Sequence, residues 1–393
     1  MEHSLAFGVG QFAALLAAAL AVSIAAERVR IPSAVLLVAA GVCAGTLWNA
    51  RPPFAFSQAL LFVFLPPLIF EAAWSIDLRE LRANWLRIAV LAFPGTILVA
   101  FAVAGVLALS GAMPFASALL LGAIVSATDP VAVVAVFRSV LVPAQLRTVV
   151  EAESISNDGV AVVLYSLALA AASGAAVSWS GASLAGVVAV LGGVAVGAAC
   201  ALPFWAALRL TNASAQEVTA TVGLAYAAYV IADGLHWSGI FATAAAAIAL
   251  RALLAQRAHL TNRDDVDVFW NAAGSMANAI VFLSAGLLID PVRVLHEPLL
   301  VLVALAVVLV SRLVLAGLIG SDRRGRAIVF LAGMRGALAL ALALALPANV
   351  PGRASIIDVV FATVLLTLVV QGIPLRLVAA RLYRREPPVV AAT

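Results

Sequence analysis

Apolar residues occupy this chain in long runs of about 20, the length a helix needs to cross a bilayer, and short polar stretches separate the runs. Thirteen such runs are read, numbered as spans 1 to 13: 5–26, 32–50, 58–75, 86–110, 115–137, 148–172, 181–208, 217–234, 237–255, 267–289, 298–319, 326–346 and 355–379. Gly and Pro recur inside them, which membrane helices tolerate better than soluble ones. The longest polar stretch, Arg257–Asp267, is only a loop, and no hydrophilic domain interrupts the array. The pattern predicts an all-α polytopic membrane protein.

Composition strengthens this reading. Of the 393 residues 65% are hydrophobic and 11% charged, with mean hydropathy +1.13, against about 45–50% and about 25% in soluble domains. All 23 basic residues are Arg. No Lys is present to form a Schiff base or a phosphate-loop contact. His3, His236, His259 and His296 fall in or beside predicted loops, and Cys43 and Cys200 sit alone in apolar runs. That excludes the usual zinc, haem-attachment and disulfide patterns. The first run lacks a basic leader and a small-residue cleavage pattern, so it is expected to be retained as a helix.

The Arg residues also orient the chain. With the N-terminus outside, 18 of the 23 fall in inner loops and the C-terminal tail. Arg51, Arg293 and Arg353 are left outside, and two Arg lie within spans. The expected topology is N-terminus out and C-terminus in the cytoplasm. The basic isoelectric point is then a topogenic signal, and no nucleic-acid partner is expected.

Ionisable residues deep in a bilayer cost at least ~2.5 kcal/mol each on insertion scales, so each one is a functional candidate. Five cluster here: Asp129 in span 5, Glu153 and Asp158 in span 6, Arg312 in span 11 and Arg335 in span 12. At about 1.5 Å per residue, Asp129, Asp158 and Arg335 share a level near the midplane, and Glu153 and Arg312 a shallower one. Ser154 and Asp158, four apart, share a helix face, with Glu151 one turn beyond Ser154. Glu153 turns about 140° away from Asp158. Asp158 is therefore expected on an aqueous pathway and Glu153 in a pair with Arg312. Glu71, Asp233 and Asp358 lie nearer span ends and read as interfacial. Small residues such as Gly192-Gly193 read as helix contacts.

Two spans look interrupted. Span 5 contains Ala127-Thr128-Asp129-Pro130, where proline cannot donate to the helical ladder. Span 12 contains Gly333-Met334-Arg335-Gly336. Paired discontinuous helices at midplane are the sequence pointer to a transporter with inverted repeats. Their exposed ends carry partial charges, which Asp129 would offset at an N-terminus and Arg335 or Arg312 at a C-terminus. Freed carbonyls and the Thr128 hydroxyl would offer oxygen to a hard cation. Asp129, Arg312 and Arg335 read first as structural charges. A cation site repels arginine.

Four blocks then resemble a known family: Phe64-Leu-Pro-Pro-Leu-Ile-Phe-Glu71, Ala127-Thr-Asp-Pro-Val-Ala-Val133, Glu153-Ser-Ile-Ser-Asn-Asp-Gly-Val160 and Gly333-Met-Arg-Gly-Ala-Leu-Ala339. In sequence, order and spacing they resemble the monovalent cation:proton antiporters of the sodium/hydrogen exchanger class, of bacterial type. The resemblance spans nearly the whole chain. It implies a secondary antiporter exchanging Na⁺ or Li⁺ for H⁺ by alternating access, with Asp158 binding cation and proton in competition. Glu153, Ser154 and Thr128 would support the transported ion. Asn157 stands where electrogenic relatives carry a second Asp, which implies electroneutral one-for-one exchange. The resemblance further implies two inverted six-helix repeats, spans 1–6 and 8–13, crossing at the interrupted spans 5 and 12. Scaffold helices at 1–75 and 181–289 would hold a homodimer, and core helices at 86–172 and 298–379 would move. The tail, 380–393, is too short for the regulatory domain of many relatives, so regulation of that kind is not expected. The implied setting is the plasma membrane and a role in pH homeostasis, with no cofactor and no chemical catalysis.

Rival classes fare worse on the residues. An intramembrane aspartic protease needs two carboxylates that share a proton, and Asp129 precedes a proline without the flanking glycine pattern of that family. A channel would show a repeated filter or rings of charge, whereas this chain shows one asymmetric site. Oxygen ligands do not set ion size, so a K⁺/H⁺ antiporter of the same fold stays open, with a cation channel behind it.

Overall fold

In the computed structural model, residues 2–383 are described apart from 30–31, 48–53, 130–132, 135, 138–139, 141, 175–178, 258–262, 290, 295–296 and 320–321. Pro130, Arg30, Arg51, Arg138, His259, His296 and the tail from 384 onward therefore lie outside the described residues. Those described form helices, turns and loops, with no strand among them.

The helices fall on the apolar runs. They are α1 (Glu2–Val29), α2 (Ser33–Leu47), α3 (Phe54–Ser75), α4 (Leu78–Leu109), α5 (Phe115–Ser126), α6 (Ala144–Ala172), α7 (Trp179–Leu208), α8 (Ser214–Gly234), α9 (Gly239–Arg257) and α10 (Arg263–Leu288). A four-residue turn of helix, Pro291–Val294, precedes α11 (Pro298–Ile319), α12 (Arg323–Leu331), α13 (Ala337–Leu344) and α14 (Arg353–Leu382). Among the described residues six helices are long and apolar enough to cross a membrane by themselves: α4, α6, α10, α14, and the apolar parts of α7 and α11. Shorter apolar stretches lie in α1, α2, α3, α5 and α9.

Two departures from the sequence reading have local causes. Helix α4 begins at Leu78 rather than near 86, because the Asp77 carboxylate accepts from the amides of Arg79 and Glu80 and caps a polar first stretch. An apolar window does not register that stretch. Helix α5 ends at Ser126, with Ala127 already extended at φ −62° and ψ 140°. The break in span 5 thus starts upstream of Pro130.

Two wider π turns interrupt long helices. In α4 the turn covers Leu91–Gly95 and contains Pro94, whose missing N–H breaks the regular ladder. In α14 it covers Leu368–Gly372, just before Pro374. The second one positions residues at the site described below.

Packing joins helices in a definite pattern. Helix α2 lies along α10, α7 along α9, and α3 against both α9 and α10. Helix α5 packs on α4 and α6, while α11 packs on α4, α12 and α14. The close α2–α10 approach depends on Gly41 and Gly286, since a Cβ on either would strike backbone of the other helix. Gly192 and Gly193 likewise sit against Trp237 and Ser238, as helix contacts. An aromatic cluster of Phe70, Trp74 and Trp270 fixes α3 against α10.

Candidate ion-binding site

Helix α6 carries the site's charges at its buried middle. Both oxygens of Glu153 accept from Arg312, at 2.9 Å from Nη1 and 2.9 Å from Nη2. Each side chain is 2% exposed. Such a fork-to-fork pair is the geometry in which two buried charges compensate each other. Arg312 also donates through Nε to the carbonyl of Val329, near the end of α12.

Asn157, one turn above Glu153, ties this pair to the break in span 5. Its Nδ2 donates to Glu153 Oε1 at 2.9 Å and to Thr128 Oγ1 at 2.6 Å, while its Oδ1 accepts from the Thr128 amide at 3.1 Å. Thr128 Oγ1 is also 2.7 Å from Ser154 Oγ. Both donors and the acceptor of the Asn157 amide are thus engaged. An Asp at this position would have no proton to give.

The two interrupted spans meet here. The Asp129 amide donates to the Met334 carbonyl at 2.9 Å, one peptide bond of each break touching the other. Arg335 turns back on α5 and donates to the carbonyls of Ser126 (2.7 Å) and Ala127 (3.2 Å), the groups a helix C-terminus leaves open. Its own amide donates to Thr367 Oγ1. The Phe330 carbonyl, in the last turn of α12, also accepts from Gln371 Nε2 at 2.7 Å, a contact made from within the π turn of α14. Gly336 precedes α13, and a Cβ there would fall on the Asp129 carboxylate. That side chain therefore lies against the positive end of α13. Gly333 leaves similar room for Arg312.

Asp158 differs in having no side-chain hydrogen bond or ion pair among the described residues. It is 4% exposed, and its Oδ1 has no hydrogen-bond partner among the described residues. It lines a cavity of about 20 Å³ shared with Thr128, Asp129, Gly336, Asn278 of α10, and Leu65, Leu68 and Ile69 of α3. That is room for roughly one water molecule or one small bare ion. A buried acceptor without a donor is costly, so the cavity suits an occupant that is positive or donates a proton.

A larger cavity of about 230 Å³ lies along the same helices, lined by Glu71, Trp74, Arg147, Arg251, Asp267, Trp270 and Asn271 among others. Two helical stripes link the cavities. On α6 the positions are 147, 151, 154 and 158, and on α10 they are 267, 271, 274 and 278. The spacing of i, i+4, i+7 and i+11 keeps each stripe on one face. Gly274 in the second stripe lies beneath the Glu71 side chain. In the larger cavity Trp74 Nε1 donates to Asp267 at 2.6 Å, Arg147 pairs with Glu151 at 2.7 Å, and Arg251 holds the carbonyls of Trp74 and Ile76.

The structure brings together Thr128, Asp129, Glu153, Ser154, Asn157, Asp158, Arg312 and Arg335. Glu71, near the end of its span, is 6% exposed and covered by neighbouring helices. Asn278, Thr367 and Gln371 were not singled out. Each is a lone amide or hydroxyl in an apolar helix, a signal present in the sequence but weaker than a charge.

An all-helical membrane protein with two broken spans crossing beside a buried carboxylate is the architecture of a secondary transporter. Residues 13–381 match the profile described as sodium/hydrogen exchanger, transmembrane, and the chain belongs to that family. It is 32% identical to the low-affinity Na⁺/H⁺ antiporter NhaS1 of Synechocystis sp., over 94% of this chain and 74% of that protein. It is also 32% identical to the Na⁺/H⁺ antiporter NhaP of Pseudomonas aeruginosa, over 84% of this chain and 83% of the relative. In fold it is similar to the sodium proton antiporter MjNhaP1 of Methanocaldococcus jannaschii, with a TM-score of 0.83 at 22% identity, covering 97% of this chain and 100% of that one.

Proposed function

We propose that this protein is a secondary active antiporter that exchanges Na⁺ or Li⁺ for H⁺ across the membrane, one for one and electroneutrally. One observation carries the reading. Asp158 is a buried carboxylate with no side-chain hydrogen bond or ion pair among the described residues, beside a cavity of single-ion size, while Glu153 is matched by Arg312 and Asp129 lies against a helix end. A proton or a bare cation satisfies that oxygen equally well in kind. Occupancy by one excludes the other, which couples the two fluxes. Thr128, Ser154 and Asn157 hold the break in place around the ion.

The names of the relatives at 32% identity support sodium as the cargo. The neutral Asn157 amide supports a single titrating carboxylate and hence electroneutrality. Alternating access follows from a scaffold of residues 1–75 and 181–289 and a moving core of 86–172 and 298–379, and the packing of α2, α3, α7 and α9 among themselves and with α10 supports that division. Thirteen crossings, inverted repeats over spans 1–6 and 8–13, an outer N-terminus, a plasma-membrane location and a homodimer complete the proposal. The Arg distribution supports the orientation.

The test is proton flux in proteoliposomes carrying an imposed pH gradient, with Na⁺, Li⁺ or K⁺ added, for wild type and Asp158→Asn. Saturable collapse of the gradient by Na⁺ or Li⁺ is expected in wild type and absent in the variant. A gradient that survives every cation, or an active variant, would overturn the proposal. Preference for K⁺ would rename the cargo and keep the site.

A further inference from the structure

A neutral oxygen without a hydrogen-bond partner also borders the ion cavity, and it comes from a different part of the molecule. Asn278 lies in the middle of α10, is 6% exposed, and lines the same cavity as Asp158. Its Oδ1 is buried without a hydrogen-bond partner among the described residues. Buried amide oxygens in proteins are nearly always bonded. Here the amide oxygen of Asn278 and a carboxylate oxygen of Asp158, neither hydrogen-bonded among the described residues, border one space of about 20 Å³. Two acceptors with a gap between them are reconciled by something positive in the gap.

We propose that Asn278 is a specificity-determining ligand of the transported cation, supplying its amide oxygen to an ion held between it and Asp158. The inference rests on the antiport reading above and deepens it by adding a neutral ligand from α10. A neutral amide oxygen does not bind a proton at working pH, so its contribution goes to the cation alone. Asp158 serves both ions. Asn278 therefore shifts the competition toward the cation and sharpens the choice among cations by closing the cavity to one size. Its helix packs on α2 and α3 and not in the cluster of α4, α5 and α6, so the oxygen shell is complete only while those two groups of helices stand together. Nothing about its i+11 placement from Asp267 is accidental to access: the same face of α10 lines the larger cavity.

The experiment measures initial rates of cation-driven proton flux in proteoliposomes against Na⁺, Li⁺ and K⁺ concentration, for wild type, Asn278→Leu and Asn278→Asp. Elution as a single species and an unchanged melting temperature in detergent establish folding. Leucine keeps the branched skeleton of asparagine, with methyl groups in place of the amide oxygen and nitrogen. It is expected to raise the Na⁺ concentration for half-maximal rate about tenfold, the loss of one good polar contact, and to flatten the Na⁺, Li⁺, K⁺ order, with the maximal rate retained. Aspartate restores an oxygen in place and is expected to keep half-saturation at or below the wild-type value. A folded Leu variant with wild-type half-saturation and cation order overturns the inference, and so does a fall in maximal rate alone. If the Leu variant does not fold, the Asp variant decides: a half-saturation unchanged or lowered for Na⁺ supports the ligand role, and a raised one refutes it. A wild type that exchanges no cation strikes the antiport reading itself, before any Asn278 variant is compared.

Discussion

Glu153 and Asp158 are two carboxylates five residues apart on α6, both buried, in neighbourhoods built to opposite ends. Around Glu153 both oxygens are engaged: two guanidinium nitrogens and an asparagine amide converge on it, and the guanidinium is anchored in turn to a carbonyl of α12. Around Asp158 the walls are Leu65, Leu68 and Ile69 on one side and the broken spans on another, and one oxygen is left with no partner among the described residues. The first arrangement fixes helices to each other. The second reserves an interaction for something that comes and goes. What separates a structural charge from a working one is thus the completeness of its surroundings, since burial and residue type are nearly shared.

The comparison is broken most severely at Arg312. Arg312→Met leaves Glu153 buried with its main partner gone, and a loss of about 3–5 kcal/mol is expected. Thermal unfolding in detergent should show a large drop, of which Glu153→Leu in the same chain recovers more than half. No recovery would mean that the pair does not act as a unit. Asp158→Asn supplies the contrast, with transport lost and thermal stability unchanged or raised, because no native partner is removed. Next comes Asn157→Asp, which removes both donors and sets a carboxylate 2.9 Å from Glu153. A destabilisation of about 2 kcal/mol is expected, and stability equal to wild type would contradict the bonding described.

The smallest effect lies outside the bilayer. Asp77 caps α4 in solvent, where the amides of Glu80 and then Arg79 hold its carboxyl below the ordinary 3.8. A lowered value means that the charged form stabilises the fold above pH 3.8, and that this contribution fades as pH falls through the folded-state value. Asp77→Ala is expected to cost about 1 kcal/mol at neutral pH. The difference from wild type should shrink on acidification below 3.8. A constant difference would assign the effect to the side chain's packing.

Reading these neighbourhoods from sequence succeeded where the physical signal was large. A 20-residue apolar run has one stable fate in lipid, so helix positions were legible to within a few residues except in α4, whose start is set by Asp77 and a polar turn. Midplane charges were legible because they are expensive. Helical phase alone placed Glu153 toward a neighbour and Ser154 with Asp158, and Arg312 proved to be that neighbour. The partners of the breaks were less legible. Thr367 and Gln371 reach the site through tertiary contact from α14, and a π turn alters the phase that a regular helix would predict. Asn278 escaped because one amide in an apolar helix is cheap beside a carboxylate. The burial of Glu71 was not legible, because distance along a helix measures depth and ignores which helices cover it.

The cap on α5 has a consequence for the birth of the molecule. The carbonyls of Ser126 and Ala127 are closed by Arg335, 209 and 208 residues further along the chain. At about 5–20 residues per second, ribosomes need on the order of 10–40 s to deliver that arginine after the break has been made. Throughout that interval the N-terminal half waits in the membrane with peptide groups that lipid cannot satisfy. Assembly of this protein is therefore a deferred closure. The break in its first half is closed by a residue synthesised 208 to 209 positions later, and chains that stop before Arg335 leave those two carbonyls without it.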